Sequence, residues 1–446
     1  MRIILEPGRQ VPVIAETDIC ILGGSCTGVF AAVRAARLGA RVVLVERQNA
    51  FGGVATSGLV NIWHSLLDTE FATPIIAGLT LETLNRLKRR GAAADIAASR
   101  SAGFRLNTEE LKVELDELVL EHGITPMLHT SFCAPVIGND GRVEAVLVEN
   151  KDGRSAIVAD VFIDATGDGD LAARAGIPFD IAPDLQPPTS CAKMLHFRSA
   201  GFRALYRAHR EEFGLMEDSG WGGSVPDTPG VTMLAETHVF GANCADATQL
   251  TAAEIEGRRQ MRAVMDLLRK YGEGDEAMSL VSLASYIGIR ETRRFSAEHR
   301  LLEEEVLWGK RFPDAIANGS YCVDVHHPQG GGFLFKYLDG TTRDRRDGGK
   351  LVEGRWREEI QTDPTFYQVP YRCLVHRHCP NVIMAGRMIS TDRGAFGAVR
   401  VMVNLNQVGE AAGVAATMVL QKKTPVYNVD AAALRSALAD GGSIIL

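Results

Sequence analysis

The most ordered alternation of apolar and polar positions lies near the start of the chain. A solid apolar run, Ile19 to Leu22, breaks into Gly23, Gly24, Ser25, Cys26, Thr27 and Gly28; an Ala-rich segment with helical spacing continues to about Leu38. A second apolar run over residues 41–45 ends on Glu46 and Arg47. Short apolar runs bounded by glycine read as buried strands and the periodic segment between them as a helix, so the stretch predicts strand, turn, helix, strand. Residues 1–17, with Pro7, Gly8 and Pro12, read as an extended leader. Residues 79–90 and 108–122 have helical apolar spacing, and Asn107 with Glu110 is placed to form a capping box. Strands over 124–137, 142–149 and 155–163 then form a meander, joined at Asn139-Asp140-Gly141 and Asp152-Gly153 by residues suited to hairpin turns. The last empties into Ala165, Thr166 and Gly167.

Near Ile181 the pattern changes: Pro183, Pro187 and Pro188 mark a boundary, and aromatic, His and Arg residues become denser. Residues 251–271 predict a helix with Thr251 and Glu254 as its capping box. Arg290, Arg293 and Arg294 surround Glu291, and at helical spacing Arg290 and Arg294 share a face. Residues 320–327 alternate like a strand, while 339–357 read as a polar, exposed loop. A short strand over 382–385 precedes Gly386 and Arg387. Arg400, Val401 and Met402 then lead into a helix over about 405–420, with Asn404 and Gln407 as an N-terminal box and a slim face of Gly409, Gly413 and alanines.

The opening stretch carries the chemistry of a dinucleotide fingerprint. One glycine makes the tight turn, a second lets the backbone approach a pyrophosphate, and a third lets helix and strand pack closely. Ser25 stands at the middle position, with Gly24 beside it. The pyrophosphate would lie over free N–H groups at the helix N-terminus, and Glu46 would accept from a ribose hydroxyl. The alternative is a glycine turn that holds no ligand. Residues 51–58, dense in Gly53, Ala55, Thr56 and similar small residues, suit a backbone lying against a flat ligand.

Composition narrows the partners. Of 446 residues, 48 are Lys or Arg and 55 Asp or Glu, a net charge of −7 spread along the chain, which argues against a nucleic-acid surface. Eight cysteines without a CxxC pair read as reduced thiols of a cytoplasmic protein. In Cys373-Leu-Val-His376-Arg-His378-Cys379 the histidines are too close for a usual zinc spacing, so no metal is expected. The sequence shows neither an export signal nor an apolar stretch of membrane-spanning length.

Together the glycine turn, GGVAT at 52–56, DATGDGD at 164–170, IGIRETRR at 287–294, YCVDVH at 321–326, and AGRMIS through RVM to GEAAG resemble the FAD-dependent oxidoreductases. This family is related to the fumarate reductase and succinate dehydrogenase flavoproteins, with a glutathione-reductase-type FAD domain, and the resemblance spans roughly residues 13–422. It implies an α/β fold: a Rossmann-like FAD-binding domain with a parallel sheet and β-meander (residues 1–180, with a helical insertion about 60–105, and 376–446), plus an inserted α+β substrate or cap domain (181–375). FAD would be extended, its adenine end near Glu46 and Cys133 and its isoalloxazine near Thr56 and the final helix. Arg47, Ala165, Thr166, Gly167, Gly386, Arg387, Arg400, Val401 and Met402 fall in the matching cofactor motifs. No histidine clearly matches the covalent flavin link of some relatives, so noncovalent FAD is expected, with His64 the nearest candidate for a link. Val403-Asn404 stands where relatives commonly have Pro-Thr.

Flavin N5 accepts a hydride, and a neighbouring group must handle the proton. His326 is the first candidate and His327 the second, while Arg290 and Arg294 would bind a carboxylate or polarise a carbonyl, or else form an ion-paired cluster between domains. The expected reaction is hydride transfer between a small polar substrate (alcohol, sugar or carboxylate) and flavin. The alternatives are C=C reduction or desaturation of a carboxylate, and an electron-transferring flavoprotein subunit; a tRNA-modifying flavoprotein fits the acidic balance poorly. The electron acceptor is left open, as is a homo-oligomer.

Overall fold

The computed structural model describes residues 2–97, 99–100, 102–216, 220–272, 278–346 and 349–446. Its organising layer is a seven-stranded sheet. The opening strand, Val13–Leu22, sits between Val42–Val45 and Gly153–Asp164, and Thr125–Met127 extends the sheet beyond Val42–Val45. These pairings are parallel, with Ile19 opposite Val42 and Ile21 opposite Ile163. The return strand, Val382–Met384, joins parallel to the end of Gly153–Asp164. Strands buried on both faces need continuous apolar runs, and Ile19, Cys20, Ile21 and Leu22 are all but fully buried.

Several expectations change. The opening strand begins at Val13, so the leader is shorter than 17 residues; Val13 to Leu22 gains a partner in Gly153–Asp164, which extends well before the apolar run. The first predicted meander strand is two elements. Thr125–Met127 completes the parallel sheet, and Ser131–Ile137 begins the antiparallel meander with Val143–Asn150 and Gly153–Asp164. Residues 339–357 are not a loop: Thr341–Arg346 and Val352–Arg355 pair antiparallel, residues 347–348 lying outside the described set. Residues 287–294 are extended, not helical, and Arg293–Phe295 pairs with Phe179–Ile181, so Arg290 and Arg294 share no helix face.

The helices fall close to their predicted bounds, but three of their caps differ. Asn107 caps Thr108–Glu121 by accepting from the Glu109 N–H, while Glu110 turns outward to Arg90. The long helix is Ala247–Tyr271, capped by Asp246, which leaves Thr251 bonding back to the Ala247 carbonyl. The closing helix is Met402–Lys422, and its proposed box is used elsewhere: Asn404 donates to Tyr367 and the Ala398 carbonyl, Gln407 to the Asn318 carbonyl.

The closing helix lies on the opening helix, Cys26–Arg37, and glycine makes this possible. A Cβ at Gly409 would stand 2.2 Å from the Thr27 carbonyl oxygen, and one at Gly413 2.2 Å from that of Ala31. A buried ion pair fastens the same contact, Arg34 Nε donating to Glu410 at 2.8 Å. Burial pushes the Glu410 carboxyl up to about 7, against the pull of Arg34. Residues 301–375 contribute Leu301, Phe312, Val323 and Tyr367 to the same apolar core. No helix among the described residues is long and apolar enough to cross a membrane, and all eight cysteines are free thiols.

Candidate active site

One half of the site is built from backbone. Gly23 has φ +101°, and a Cβ there would lie 2.3 Å from the Ala165 carbonyl oxygen; at Gly28 it would lie 1.9 Å from that of Gly23. Ser25 is accommodated because glycine faces it from the next turn: it forms a parallel bridge with Gly52, and a Cβ on Gly53 would stand 2.9 Å from its own. The room usually supplied by the middle glycine is thus moved to residues 52 and 53. Thr56 holds that turn by donating to the Phe51 carbonyl at 2.6 Å, and Ala55 is buried beneath it.

Glu46 braces the fingerprint directly. One carboxylate oxygen accepts from the Gly24 N–H at 2.6 Å and the other from Gln48 N–H at 2.8 Å. Arg47 reaches across to the Tyr286 hydroxyl, with its guanidinium 4.6 Å from that ring's centre. Cys133 sits at a bulge of the meander, its thiol directed at the Ser131 carbonyl, a few residues after Thr130 N–H bonds to the Glu46 carbonyl. Ala165 N–H bonds to Leu22, which seats the Ala-Thr-Gly turn beside the fingerprint. Asp164 orders that turn by accepting from Thr166 and Ala172, and burial pushes its carboxyl up to about 6. Arg387 lies over Gly167 and pairs with Asp168, and a Cβ at Gly386 would stand 3.7 Å from the Gly167 Cα. Cys26 is buried, which pushes its thiol up to about 12 and makes it a filler at neutral pH.

The other half is built from side chains around the strand Val323–His326 and the start of the closing helix. Residues 324 and 326 alternate onto one face. Asp324 accepts from Arg400 and from the Tyr321 hydroxyl, each at 2.9 Å. His326 Nε2 stands 3.6 Å from the other Asp324 oxygen, and its backbone N–H donates to Gln186. The His64 ring lies 4.1 Å from that of Tyr321, and burial holds it down to about 4, so it is neutral. Burial, followed by the charges of Arg290, His238, Arg400 and His327, holds His326 well below the usual histidine value. His327 turns away to Asp344 at 2.9 Å.

The predicted arginines take structural partners. Arg290 donates to the Pro187 carbonyl and the Thr189 hydroxyl, and Arg294 stands 3.5 Å from Glu291. His376 and His378 lie at the surface turn before the return strand, ring centres 6.4 Å apart. Asp324, Tyr321, Gln186 and His238 were not singled out from sequence. The alternation of Tyr-Cys-Val-Asp-Val-His held a signal for Asp324, whereas Gln186 and His238 arrive from remote segments and carried none.

The residues suit a flavin nucleotide. Among the described residues no side chain caps the opening helix at Ser25 or the closing helix at Val401, which leaves the N–H groups around Thr27 and Met402 for an anionic or electron-rich edge. Between these ends His64 Nδ1, Gln186 Nε2, Asp324 Oδ1 and Arg400 Nε are buried with no hydrogen-bond partner among the described residues. Buried polar atoms are rarely left so unless something else binds them.

A glycine-notched nucleotide fold with these buried polar groups beside it fits a redox flavoprotein. The chain belongs to the FAD dependent oxidoreductase family, whose model matches residues 18–438, and it is an FAD-dependent enzyme. Among solved structures it is similar to a geranylgeranyl bacteriochlorophyll reductase-like protein from Thermoplasma acidophilum, at 11% identity and TM-score 0.46 over 92% of this chain and 80% of that one. It is similar to p-nitrophenol 4-monooxygenase from Pseudomonas putida DLL-E4, at 11% identity and TM-score 0.41 over 64% and 70%. A variant of the flavin-dependent brominase Bmp2 gives 11% and 0.44 over 95% and 84%. At these scores none of the likenesses carries over a chemistry. No curated protein sequence matches the chain.

Proposed function

We propose that the protein dehydrogenates a small polar substrate, with His326 taking a proton from the substrate's hydroxyl. Bound FAD supplies the two-electron acceptor for the hydride. The observation that carries this reading is the position of the His326 imidazole, its Nε2 3.6 Å from Asp324, which pairs with Arg400 at the start of the closing helix; burial and the neighbouring charges disfavour the protonated ring. A neutral imidazole is ready to accept a proton and poorly suited to donate one, which favours substrate oxidation over C=C reduction. Asp324, drawn toward Arg400 and Tyr321, orients the histidine from one side while Gln186 fixes its backbone.

Arg290 and Arg294 act in this reading as anchors of the segment that faces the site, Arg290 through its bonds to Pro187 and Thr189 and Arg294 through its charge beside Glu291. His64, neutral and packed on Tyr321, forms a wall of the pocket, and FAD is held without a covalent link. The test is anaerobic bleaching of the yellow holoenzyme against a panel of alcohols, sugars, amines and carboxylates. His326→Ala should keep its colour and lose bleaching by the alcohols and sugars that reduce the parent enzyme. Equal bleaching rates would remove His326 from the mechanism, and bleaching by reductant alone with oxidation of saturated substrates absent would favour the reductase reading.

A further inference from the structure

A base that works in a closed pocket must pass its proton on before the next turnover. Asp324 Oδ2 is taken by Arg400 and Tyr321, its Oδ1 stands 3.6 Å from His326 Nε2 and orients the ring, and His327 faces Asp344. Also beside His326 stands the ring of His238, its centre 5.0 Å from that of His326 with the planes at 56°. Among the described residues no N–H···N bond joins the two rings in this structure, but the spacing allows one on reorientation of a ring, since such a bond of about 2.9 Å places imidazole centres about 5 Å apart.

His238 is 4% exposed and held rigidly from the long helix. Its backbone N–H donates to Gln260 Oε1 at 3.0 Å, and Gln260 Nε2 donates back to the His238 carbonyl at 3.0 Å and to Glu256 at 2.9 Å. It also lines a cavity of about 180 Å³, together with Tyr206, Glu236, Phe240, Glu256 and Arg259. Among the described residues Glu236 there is paired with Arg203 and Glu256 with Arg259. A polar cavity of this size has room for several waters.

We propose that His238 is the proton exit of the active site, receiving the proton from His326 and releasing it to water in the cavity beneath the long helix. This rests on the reading of His326 as the base. In the oxidation, the substrate's C–H and O–H bonds break and a C=O bond forms; the electron pair leaves with the hydride to the flavin, and the proton goes to His326. The second transfer moves a proton alone. His238 touches no reacting atom and acts through His326, which keeps the substrate side dry while the cavity side is wet.

The first test needs no substrate. In the holoenzyme labelled with ¹⁵N-histidine, a scalar coupling across an N–H···N bond should join ring nitrogens of His238 and His326, with each assignment made by loss of signal in His238→Gln and His326→Gln. Two uncoupled rings would overturn the proposal. The second is anaerobic flavin reduction by the best substrate of the panel: His238→Gln should retain FAD and melting temperature, reduce roughly 10-fold more slowly at low buffer, and be restored by added imidazole. Slow reduction that imidazole does not restore would mark a packing role only and sink the relay. If His326→Ala is inactive while His238→Gln reduces normally at every buffer concentration, the relay alone falls; if His326→Ala reduces normally, both readings fall. Should His238→Gln not fold, Met216→Trp, at a half-exposed position on the cavity wall, should slow reduction in the same buffer-dependent way, and an unchanged rate would count against the exit.

Discussion

The fingerprint turn and the histidine strand do related work by opposite means. Around Gly23, Gly28, Gly52 and Gly53 the site consists of space and backbone N–H groups, and side chains are absent because the next strand or helix lies where a Cβ would be. Around Asp324 and His326 it consists of side chains that arrive from the 60s, 180s, 230s and 400 and meet only in three dimensions. A cradle for a cofactor common to a whole class is set by local spacing, whereas a pocket for one substrate is set by long-range packing.

Four substitutions or conditions would break or sharpen this contrast. His326→Ala should cost about 10²–10⁴ in the rate of flavin reduction, the span of general base catalysis, with absorbance at full occupancy; stopped-flow reduction under argon measures it. Acidification should come next. His64 has a folded-state value near 4 against about 6.5 when unfolded, so protons bind the unfolded chain preferentially. Its stability contribution is intact above pH 6.5 and falls by roughly 3 kcal/mol as pH drops toward 4. Melting curves of the parent and of His64→Phe should converge in acid dependence if another group dominates, and differ if His64 does.

Gly28→Ala should cost about 1–3 kcal/mol by overpacking against the Gly23 carbonyl, and should release FAD because the turn itself must shift. Retained colour with a normal melting temperature would show that the cradle tolerates a side chain after all. Asn107→Ala should cost about 1 kcal/mol through loss of the cap on Thr108–Glu121, with no change in flavin content. A change in colour would tie that helix to the cofactor.

Much of the fold was legible because it repeats rules of short range. The strand-turn-helix at residues 19–37, the hairpin turns at 139–141 and 152–153, and the small-residue face of the closing helix each declare themselves within a few residues. The caps did not. Asn404 and Gln407 have the spacing of an N-terminal box, yet both are drawn to tertiary partners, and Asp246 offered a better cap than Thr251. The cluster of Arg290 and Arg294 looked helical by spacing alone; pairing of Arg293–Phe295 with Phe179–Ile181 overrides that local preference. His326 could be named from its motif, but what lowers its proton affinity, burial first and then the charges of Arg290, His238 and Arg400, comes from segments whose approach no periodicity encodes.

The notch between Gly409 and Thr27 has a consequence for how the protein comes into being. A ribosome emits the fingerprint turn first and the helix that completes it hundreds of residues later, so the flavin pocket stays half-made until that helix has been synthesised. Chains halted before residue 402 should therefore leave the cofactor free in solution, and loading becomes a signal that the closing helix has arrived.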